Sequence, residues 1–554
     1  RDIPGVSVLV YAQMCATEKR RRRKRGLLEE PNTFVVINDL VCEGCGDCSI
    51  ESNCLSVVPQ ETPFGRKRQI DQNTCNKDYS CINGFCPSFV TVEGGELQQR
   101  AGSSLADKFR QLEAALPDPE MPRIDACYDL LVTGVGGTGV VTLGQLITMA
   151  AHLEGKGASV LDFMGFAQKF GPVLSYLRIA NAPADINQVR IERAQADALI
   201  GCDLVVSSSP KASATYAQGH TRALVNSAEM ATADFVKQRD AKLRASERLE
   251  AIRNVVGAEN FATLNANALA DKLLGNTIYA NVLLLGCAWQ KGLVPVSFAA
   301  MMRAIELNGV EIERNKQAFG WGRIAAIKVD QVQALIDGPA AMPAPESLDE
   351  LIERRAAFLV DYQDQALAAR YRALVERVRK AAYDVDGNDA LVSAVARSYF
   401  RLLSYKDEYE VARLHTQTGF LDRIREDYGG RASVRFHMAP PLLSRQKDAR
   451  GRPLKTEFGA WAVPVLRVLA GMRRLRGTKL DLFGLTAERR MERQLIDEFE
   501  ATIDDLLGAL SAENIAAATE IVELYLDIRG YGPVKEQAVR EVREQLATRA
   551  IMRA

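Results

Sequence analysis

Cys42-Glu43-Gly44-Cys45-Gly46-Asp47-Cys48 opens a run of seven cysteines that continues with Cys54 and closes as Cys75-x5-Cys81-x4-Cys86-Pro87. Three thiolates at intervals of three residues on one tight turn can reach three corners of an iron-sulfur cube. The glycines at 44 and 46 let backbone amides approach the inorganic sulfides, and such hydrogen bonds tune a cluster. The other four of the 11 cysteines, Cys15, Cys127, Cys202 and Cys287, are scattered. A cluster of cysteines inside a long chain with large apolar stretches points to a bound group rather than to a disulfide framework.

The Cys86-Pro87 pair matches the end of the bacterial ferredoxin run, whose last cysteine serves the other cluster. Cys86 is therefore expected to join Cys42, Cys45 and Cys48 around one 4Fe-4S cluster. Cys54, Cys75 and Cys81 form a second set with no fourth cysteine, and Cys54 follows Cys48 after five intervening residues where the ideal run has three. Zinc sites also use short paired spacings. A zinc knuckle on a non-catalytic scaffold therefore stands beside the iron-sulfur reading.

Working outward, a chain of 554 residues is expected to hold about three or four domains. Its 70 basic and 70 acidic residues cancel, so no global field favours nucleic acid or an anionic membrane. No apolar run approaches the roughly 20 residues of a membrane span, and the N-terminus lacks the order of a secretory signal, so a cytoplasmic protein is expected. Val6 to Tyr11 reads as a short strand, part of a late strand over residues 3–14 whose partners would lie upstream, as in a fragment. The basic run Lys19 to Arg25 reads as a linker or as a docking patch for an acidic electron carrier. Thr33 to Asn38 reads as a strand entering a small module over residues 31–95, followed by a linker over 96–125 with one helix, Ala106 to Leu116.

Residues 126–330 have an α/β pattern. Tyr128 to Thr133 is a continuous apolar strand, Val140 to Glu154 a helix and Ala158 to Asp162 a second strand. Further strands fit Leu174 to Ile179, Leu204 to Ser207 and Thr221 to Asn226, with helices over Ala266 to Trp289 and Ser297 to Glu306. Between the first strand and its helix, Gly134-Val-Gly136-Gly137-Thr138-Gly139 fits G-x-G-x-x-G, and Asp162 ends the next strand. A bound dinucleotide, the phosphates of a thioester carrier and a merely tight strand-to-helix turn all remain open for this motif. From Leu348 the periodicity is helical, with Phe358, Leu359, Tyr362, Leu367, Tyr371, Leu374 and Val378 at three- and four-residue spacing. Residues 331–554 are thus expected to form a mainly helical domain, with a short strand at Ser433 to Met438.

Ala167-Gln-Lys169-Phe170-Gly171-Pro172-Val173-Leu-Ser175-Tyr-Leu-Arg178-Ile179 resembles a motif of the gamma-type domain of 2-oxoacid:ferredoxin oxidoreductases, with Phe170 where that family often has glycine. Asp197 to Asp203 and Ala288 to Pro295 are similar to later segments of it, and Arg303 to Gly309 resembles the indolepyruvate branch. The order of segments resembles the long, fused indolepyruvate ferredoxin oxidoreductases. The resemblance implies a multidomain α/β plus α protein, with a bacterial-ferredoxin-like iron-sulfur module, a Rossmann-like gamma-type domain and a helical C-terminal domain. It further implies oxidative decarboxylation of an arylpyruvate on thiamine diphosphate and magnesium. The acyl group would pass to coenzyme A and the electrons through 4Fe-4S to a ferredoxin partner, in a homo-oligomer.

No Gly-Asp-Gly with a following Asn pair is present to hold a thiamine diphosphate. The thiamine-binding half is accordingly expected upstream, with residues 1–30 as its end, including Cys15. The loop Asp384 to Asp389 fits neither that motif nor a calcium loop. His152, His220, His415 and His437 have no paired carboxylate or metal spacing and read as structural. Cys127, Cys202 and Cys287 read as core thiols. Lys169 and Arg178 are candidates for a substrate carboxylate or phosphate. The competing function is a ferredoxin-linked NAD(P)-binding protein using the glycine turn and Asp162.

Overall fold

The computed structural model describes residues 5–8, 10–98, 103–165, 171–230, 232, 234–337, 346–385, 389–440, 446–448 and 451–551. The chain folds into two compact units, one of residues 1–98, 231–241 and 343–554, the other of residues 99–230 and 242–342. The cysteine-rich segment and the helical C-terminal segment, which the sequence reads as separate domains, thus fall in one unit. The chain leaves the α/β unit at Met230 and returns at Lys242.

In the first unit, residues 5–8 and 10–14 form no strand, and Val6, Val8, Val10 and Tyr11 are exposed. The basic run is no loose linker either: it lies on the helix Ala16–Lys24, where Glu18 pairs with Arg21 and Arg22. Arg23 reaches the Asn76 carbonyl at 2.7 Å. Strands β1 (Thr33–Ile37), β2 (Val57–Gln60), β3 (Lys67–Ile70) and β4 (Phe89–Glu93) make two antiparallel pairs, β1 with β4 and β2 with β3. The cysteines occupy the loops between them.

The second unit is built on a six-stranded sheet. Its strands are β5 (Cys127–Val135), β6 (Gly157–Met164), β7 (Pro172–Ala180), β8 (Ala198–Gly201), β9 (Arg222–Asn226) and β10 (Phe261–Leu264), in the order β10-β9-β8-β5-β7-β6. β5, β8, β9 and β10 run parallel, while β7 is antiparallel to both its neighbours. Leu130 and Val132 face a core with Leu143, Ile147, Leu283 and Trp321, and Leu131 faces one with Leu199, Val225 and Ile252. Burial on both faces explains the unbroken apolar run from Tyr128.

Three sequence expectations fail here. Leu204 to Ser207 is a helical turn capped by Asp203, and the strand is Ala198–Gly201 just before it. The long helix over 266–289 is two helices, Ala266–Leu274 and Ala280–Gln290, separated at Gly275 with φ +72°. The βα start does not close on an adjacent β-strand as in a dinucleotide-binding fold, because β7 lies between β5 and β6.

The C-terminal segment returns to the first unit's sheet. β11 (Ser433–Met438) pairs with the free edge of β4, in register from Ser433 opposite Glu93 to Phe436 opposite Val90, and β12 (Thr456–Phe458) pairs with β11. β4 is therefore a central strand: Phe89 packs on the cysteine side, while Val90 and Val92 pack against the helix Phe420–Tyr428. The helices Leu348–Tyr362, Gln365–Val385, Asp389–Leu403, Ala487–Gly508 and Ile515–Leu524 bury Tyr371, Tyr399 and Phe499 in a core of their own. No described helix is long and apolar enough to cross a membrane.

Two outcomes follow from this packing. In the second unit the helices Ala280–Gln290 and Ile312–Ile327 touch backbone to backbone, and a Cβ on Gly322 would lie 1.8 Å from the Leu283 carbonyl oxygen. A glycine-to-alanine change in a free helix stabilises by about 0.5–1 kcal/mol, but here Gly322→Ala is expected to destabilise by about 3 kcal/mol or more. Thermal unfolding decides the sign.

In the first unit, His415 is fully buried, with Nε2 3.0 Å from the Pro87 carbonyl and Nδ1 3.2 Å from the Asn38 amide. A carbonyl only accepts, so Nε2 carries the hydrogen, and burial lowers the ring's pKa from 6.5 to about 4. The unfolded chain therefore takes up this proton first. Its contribution is whole above pH 6.5 and is lost as pH falls towards 4, by up to about 3 kcal/mol. His415→Gln is expected to flatten the acid slope of stability over that window, as measured by urea midpoints in a pH series.

Candidate functional site

β1 ends at Ile37, and a turn closed by the Cys42 amide on the Asn38 carbonyl (2.9 Å) leads into the first cysteine loop. The loop then enters the short helix Asp47–Ser52, which carries Cys48. Gly44 (φ +67°) lies so close to the β3 side of the module that a Cβ there would stand 2.4 Å from the Arg66 carbonyl oxygen. Cys86 arrives from the other direction, in the loop before β4. Asp47 ties the two loops by accepting from the Phe85 amide at 2.7 Å. Gly84 packs directly on Cys48: a Cβ would meet the Cys48 Cα at 2.8 Å.

The seven thiols fall into two sets. Cys45 and Cys48 each feel the charges of Cys86 and Cys42, and burial followed by these neighbours pushes both thiols far up. Cys81 is pushed up to about 12 by burial and then by Cys75 and Cys54. Cys75 is likewise raised by burial, with Cys54 beside it. None of the seven is in a disulfide. Backbone amides already point at sulfur in each set, Gly44 N–H to Cys42 Sγ and Lys77 N–H to Cys75 Sγ, both at 3.4 Å. The Ser88 hydroxyl lies 2.9 Å from Cys86 Sγ.

Cations gather behind the first loop. Lys67 is buried and donates to the Cys42 carbonyl at 2.8 Å. Burial, and then Lys406, lower its pKa to about 7. Burial opposes the Glu43 carboxylate, but Lys406, Lys67, Arg401 and Lys535 hold it well below the usual carboxylate range.

Among the described residues, no three His, Cys, Asp or Glu side chains come together closely enough to hold one metal ion. A single zinc draws its thiolates to about 2.3 Å from one centre, whereas a cube binds each thiolate at its own iron. The donor chemistry here, buried thiols in mutual view with amides aimed at sulfur, fits a cluster.

The glycine turn is explained largely by packing. A Cβ on Gly134 would meet Val140 Cγ2 at 2.4 Å, and the Gly136 amide donates to the Gly171 carbonyl at 2.8 Å. Gly137 and Gly139 have φ +89° and +96°, the latter as N-cap of the helix Val140–Leu153; Gly137 faces open space, while a Cβ on Gly139 would lie 4.0 Å from Asn281 Nδ2. Asp162 lies on the edge strand β6, where its carboxylate accepts from the Ser175 hydroxyl. Arg178 is turned inward: it sits opposite Asp129 in the β5–β7 register, and the two form a buried ion pair at 2.7 Å. It is therefore a cross-strand tie, with its guanidinium already engaged by a carboxylate of the chain itself. Lys169 and Phe170 lie outside the described residues, as do residues 386–388 of the acidic loop.

Of the remaining candidates, His220 does have a carboxylate partner, Asp197 at 2.7 Å, on the surface. His437 bonds the Thr91 hydroxyl at 3.0 Å across the β4–β11 pair, and His152 is exposed. Cys202 and Cys287 are buried, Cys127 is half-buried and Cys15 is exposed. Sequence reasoning missed the residues that close over the cysteine loops from the C-terminal segment, among them Lys406, Arg452, Lys455 and Tyr531. No motif marks them.

Residues 129–325 match the family described as pyruvate ferredoxin/flavodoxin oxidoreductase, and residues 348–548 match a family of unknown function, DUF6537. The chain is 27% identical over 211 residues to the indolepyruvate oxidoreductase subunit IorB of Pyrococcus horikoshii and 25% identical over 211 residues to that of Thermococcus kodakarensis. Each match covers 36% of this chain and 96% of the relative. Among solved structures, the pyruvate oxidoreductase subunit PORC of Thermotoga maritima matches at 18% identity and a TM-score of 0.26, over 36% of this chain and 96% of that one. The gamma subunit of a keto/oxoacid ferredoxin oxidoreductase from Geobacter sulfurreducens matches at 24% identity with the same TM-score, over 36% of this chain and 98% of that one.

The contact of Gly84 with Cys48 gives the site its own test. Gly84→Ala is expected to cost about 1–3 kcal/mol by forcing the Cys48 backbone away, which urea unfolding of the variant checks.

Proposed function

We propose that this chain, whose residues 129–325 match the pyruvate ferredoxin/flavodoxin oxidoreductase family, is the gamma-type and electron-transfer part of an enzyme oxidising an arylpyruvate such as indolepyruvate to its acyl-CoA. Electrons would leave through a 4Fe-4S cluster held by Cys42, Cys45, Cys48 and Cys86, with ferredoxin as acceptor. A second cluster on Cys54, Cys75 and Cys81 would need a non-cysteine ligand. We assign the decarboxylation to a thiamine diphosphate-binding partner, in keeping with relatives that are named as subunits.

The observation that carries this reading is the convergence of Cys86, from the loop before β4, on Cys45 and Cys48 of the first loop. The two antiparallel pairs β1–β4 and β2–β3 around those loops support a ferredoxin-type module. A bound 4Fe-4S cluster would supply one-electron storage at a potential set by its surroundings. The chain's own residues would do the rest. The Gly44 and Lys77 amides place hydrogen bonds on thiolate sulfur, and the Ser88 hydroxyl adds one at Cys86. Val35, Val41, Phe89 and Leu414 pack around the thiols and exclude water.

Anaerobic reconstitution of the whole chain, followed by iron and acid-labile sulfide analysis and an electron paramagnetic resonance spectrum after reduction, tests the proposal. About four irons and four sulfides per chain with a reduced-cluster signal are expected for one cluster, and about seven or eight irons for two. Cys86→Ala should abolish the first signal, while Cys81→Ala should leave it. Zinc without sulfide, in a chain that also refuses iron, would overturn the redox role.

A further inference from the structure

Residues 348–548 match a family with no assigned function, yet much of what encloses Cys42, Cys45, Cys48 and Cys86 comes from this segment. The Tyr531 hydroxyl donates to the Val41 carbonyl at 2.6 Å, with Glu43 and the Cys86, Cys42 and Cys45 thiols near enough for their charge to act on it. Gly530 passes so near the first loop that a Cβ would lie 3.5 Å from Cys45 Cβ, and one on Gly532 would strike the Phe85 ring at 2.6 Å. Arg452 clamps the stretch before β12 onto the helix Asp47–Ser52, through Asp47 at 3.2 Å and Glu51 at 2.5 Å.

That clamp delivers an ammonium to the thiols. Lys455, three residues on, donates to the Ile82 carbonyl at 2.8 Å and stands 5.1 Å above the Phe89 ring, facing Cys86 and Cys48 of one set and Cys81 of the other. Lys406 approaches from another side, paired with Glu43 and 3.4 Å from the Cys42 carbonyl. A buried ammonium is expensive unless negative charge faces it. The carboxylates here are already engaged: Asp47 holds Arg452 and the Phe85 amide, and Glu43 is shared by Lys406 and Lys67. Four thiolates around an iron-sulfur core carry a net negative charge that grows by one on reduction, and that charge is a counterpart for Lys455, whose ammonium donates to the Ile82 carbonyl.

We propose that residues 348–548 are the electrostatic jacket of the cluster held by these four cysteines, and that Lys455 raises its reduction potential by favouring the more negative, reduced form. The inference rests on the iron-sulfur reading above. Lys455 acts through space on the cluster and is a positioning charge, so a conservative arginine should replace it and a neutral glutamine should not.

The test uses the full chain, reconstituted anaerobically as wild type, Lys455→Gln and Lys455→Arg, with iron and acid-labile sulfide measured before a redox titration followed by electron paramagnetic resonance. Equal cluster content is expected in all three. The equilibrium constant for reduction should fall at least tenfold in Lys455→Gln, which is about 59 mV for one electron, and should stay near wild type in Lys455→Arg. A Lys455→Gln protein that is fully loaded and titrates at the wild-type midpoint overturns the inference. If Lys455→Gln takes up no iron, normal loading of Lys455→Arg still upholds the role of the charge, and failure of both overturns it. A wild-type chain that takes up no iron or sulfide removes the iron-sulfur reading itself, which separates the two failures.

Discussion

Strand β4 pairs along both edges, with β1 on one side and β11 on the other, and this double pairing makes a segment more than 300 residues away part of the cysteine site. A module of this size exposes a large share of its surface when alone, and Cys42, Cys48, Cys81 and Cys86 are buried in a cluster that includes Val411, Leu414 and Tyr531 of the C-terminal segment. β11 supplies what is missing: it covers an open sheet edge, which would otherwise invite pairing with other chains, and it carries Phe436 and His437 into the interior. The helices on either side of it then close over the Val90 and Val92 face of β4 and over the cysteine face at Val411 and Leu414. The first unit is thus one cooperative structure assembled from both ends of the chain.

The same closure creates an electrostatic problem. Burial drives the Cys45, Cys48, Cys81 and Cys86 thiols towards their neutral forms, whereas a metal ligand must be a thiolate. It also opposes the charge on Lys67 and Lys455. Taken separately, each set of groups is in an unfavourable state. Together, deprotonated thiols bound to iron and protonated lysines would relieve one another in a low-dielectric interior. Folding of this unit and loading of the site should therefore be coupled, with the charged state of each depending on the other.

Local chemistry was legible in the sequence and long-range pairing was not. The spacing of Cys42, Cys45 and Cys48, and the Cys86-Pro87 pair, named residues that the structure brings to one place, because ligand spacing is a property of a single turn. The apolar run from Tyr128 and the periodicity after Leu348 gave β5 and the helical segment for the same local reason. By contrast, Ser433 to Met438 was readable as a strand but its partner was not, since any free edge satisfies a strand's hydrogen bonds equally well. Lys406, Arg452 and Lys455 sit among ordinary surface-type charges in the sequence, and only their placement against the thiols distinguishes them. Leu204 to Ser207 misled because a short apolar run has no period of its own; Asp203, accepting from the Val206 amide, made it a capped turn.

The glycine turn shows how much of a fingerprint packing and topology account for. In a dinucleotide-binding fold the acidic residue hangs from the strand beside the first one and running the same way. Here that place is taken by β7, which runs the other way, so its beginning and not its end lies beside the turn: Pro172 is opposite Val135, and the Gly171 carbonyl receives the Gly136 amide. Gly134 is small because Val140 and Cys202 press on it, and Gly136 because Gly171 does. Asp162 is left one strand further out, bonded to Ser175. The stretch that most resembles the oxidoreductase family begins in the segment leading into β7, so the hairpin that displaces Asp162 also carries Gly171 to the turn.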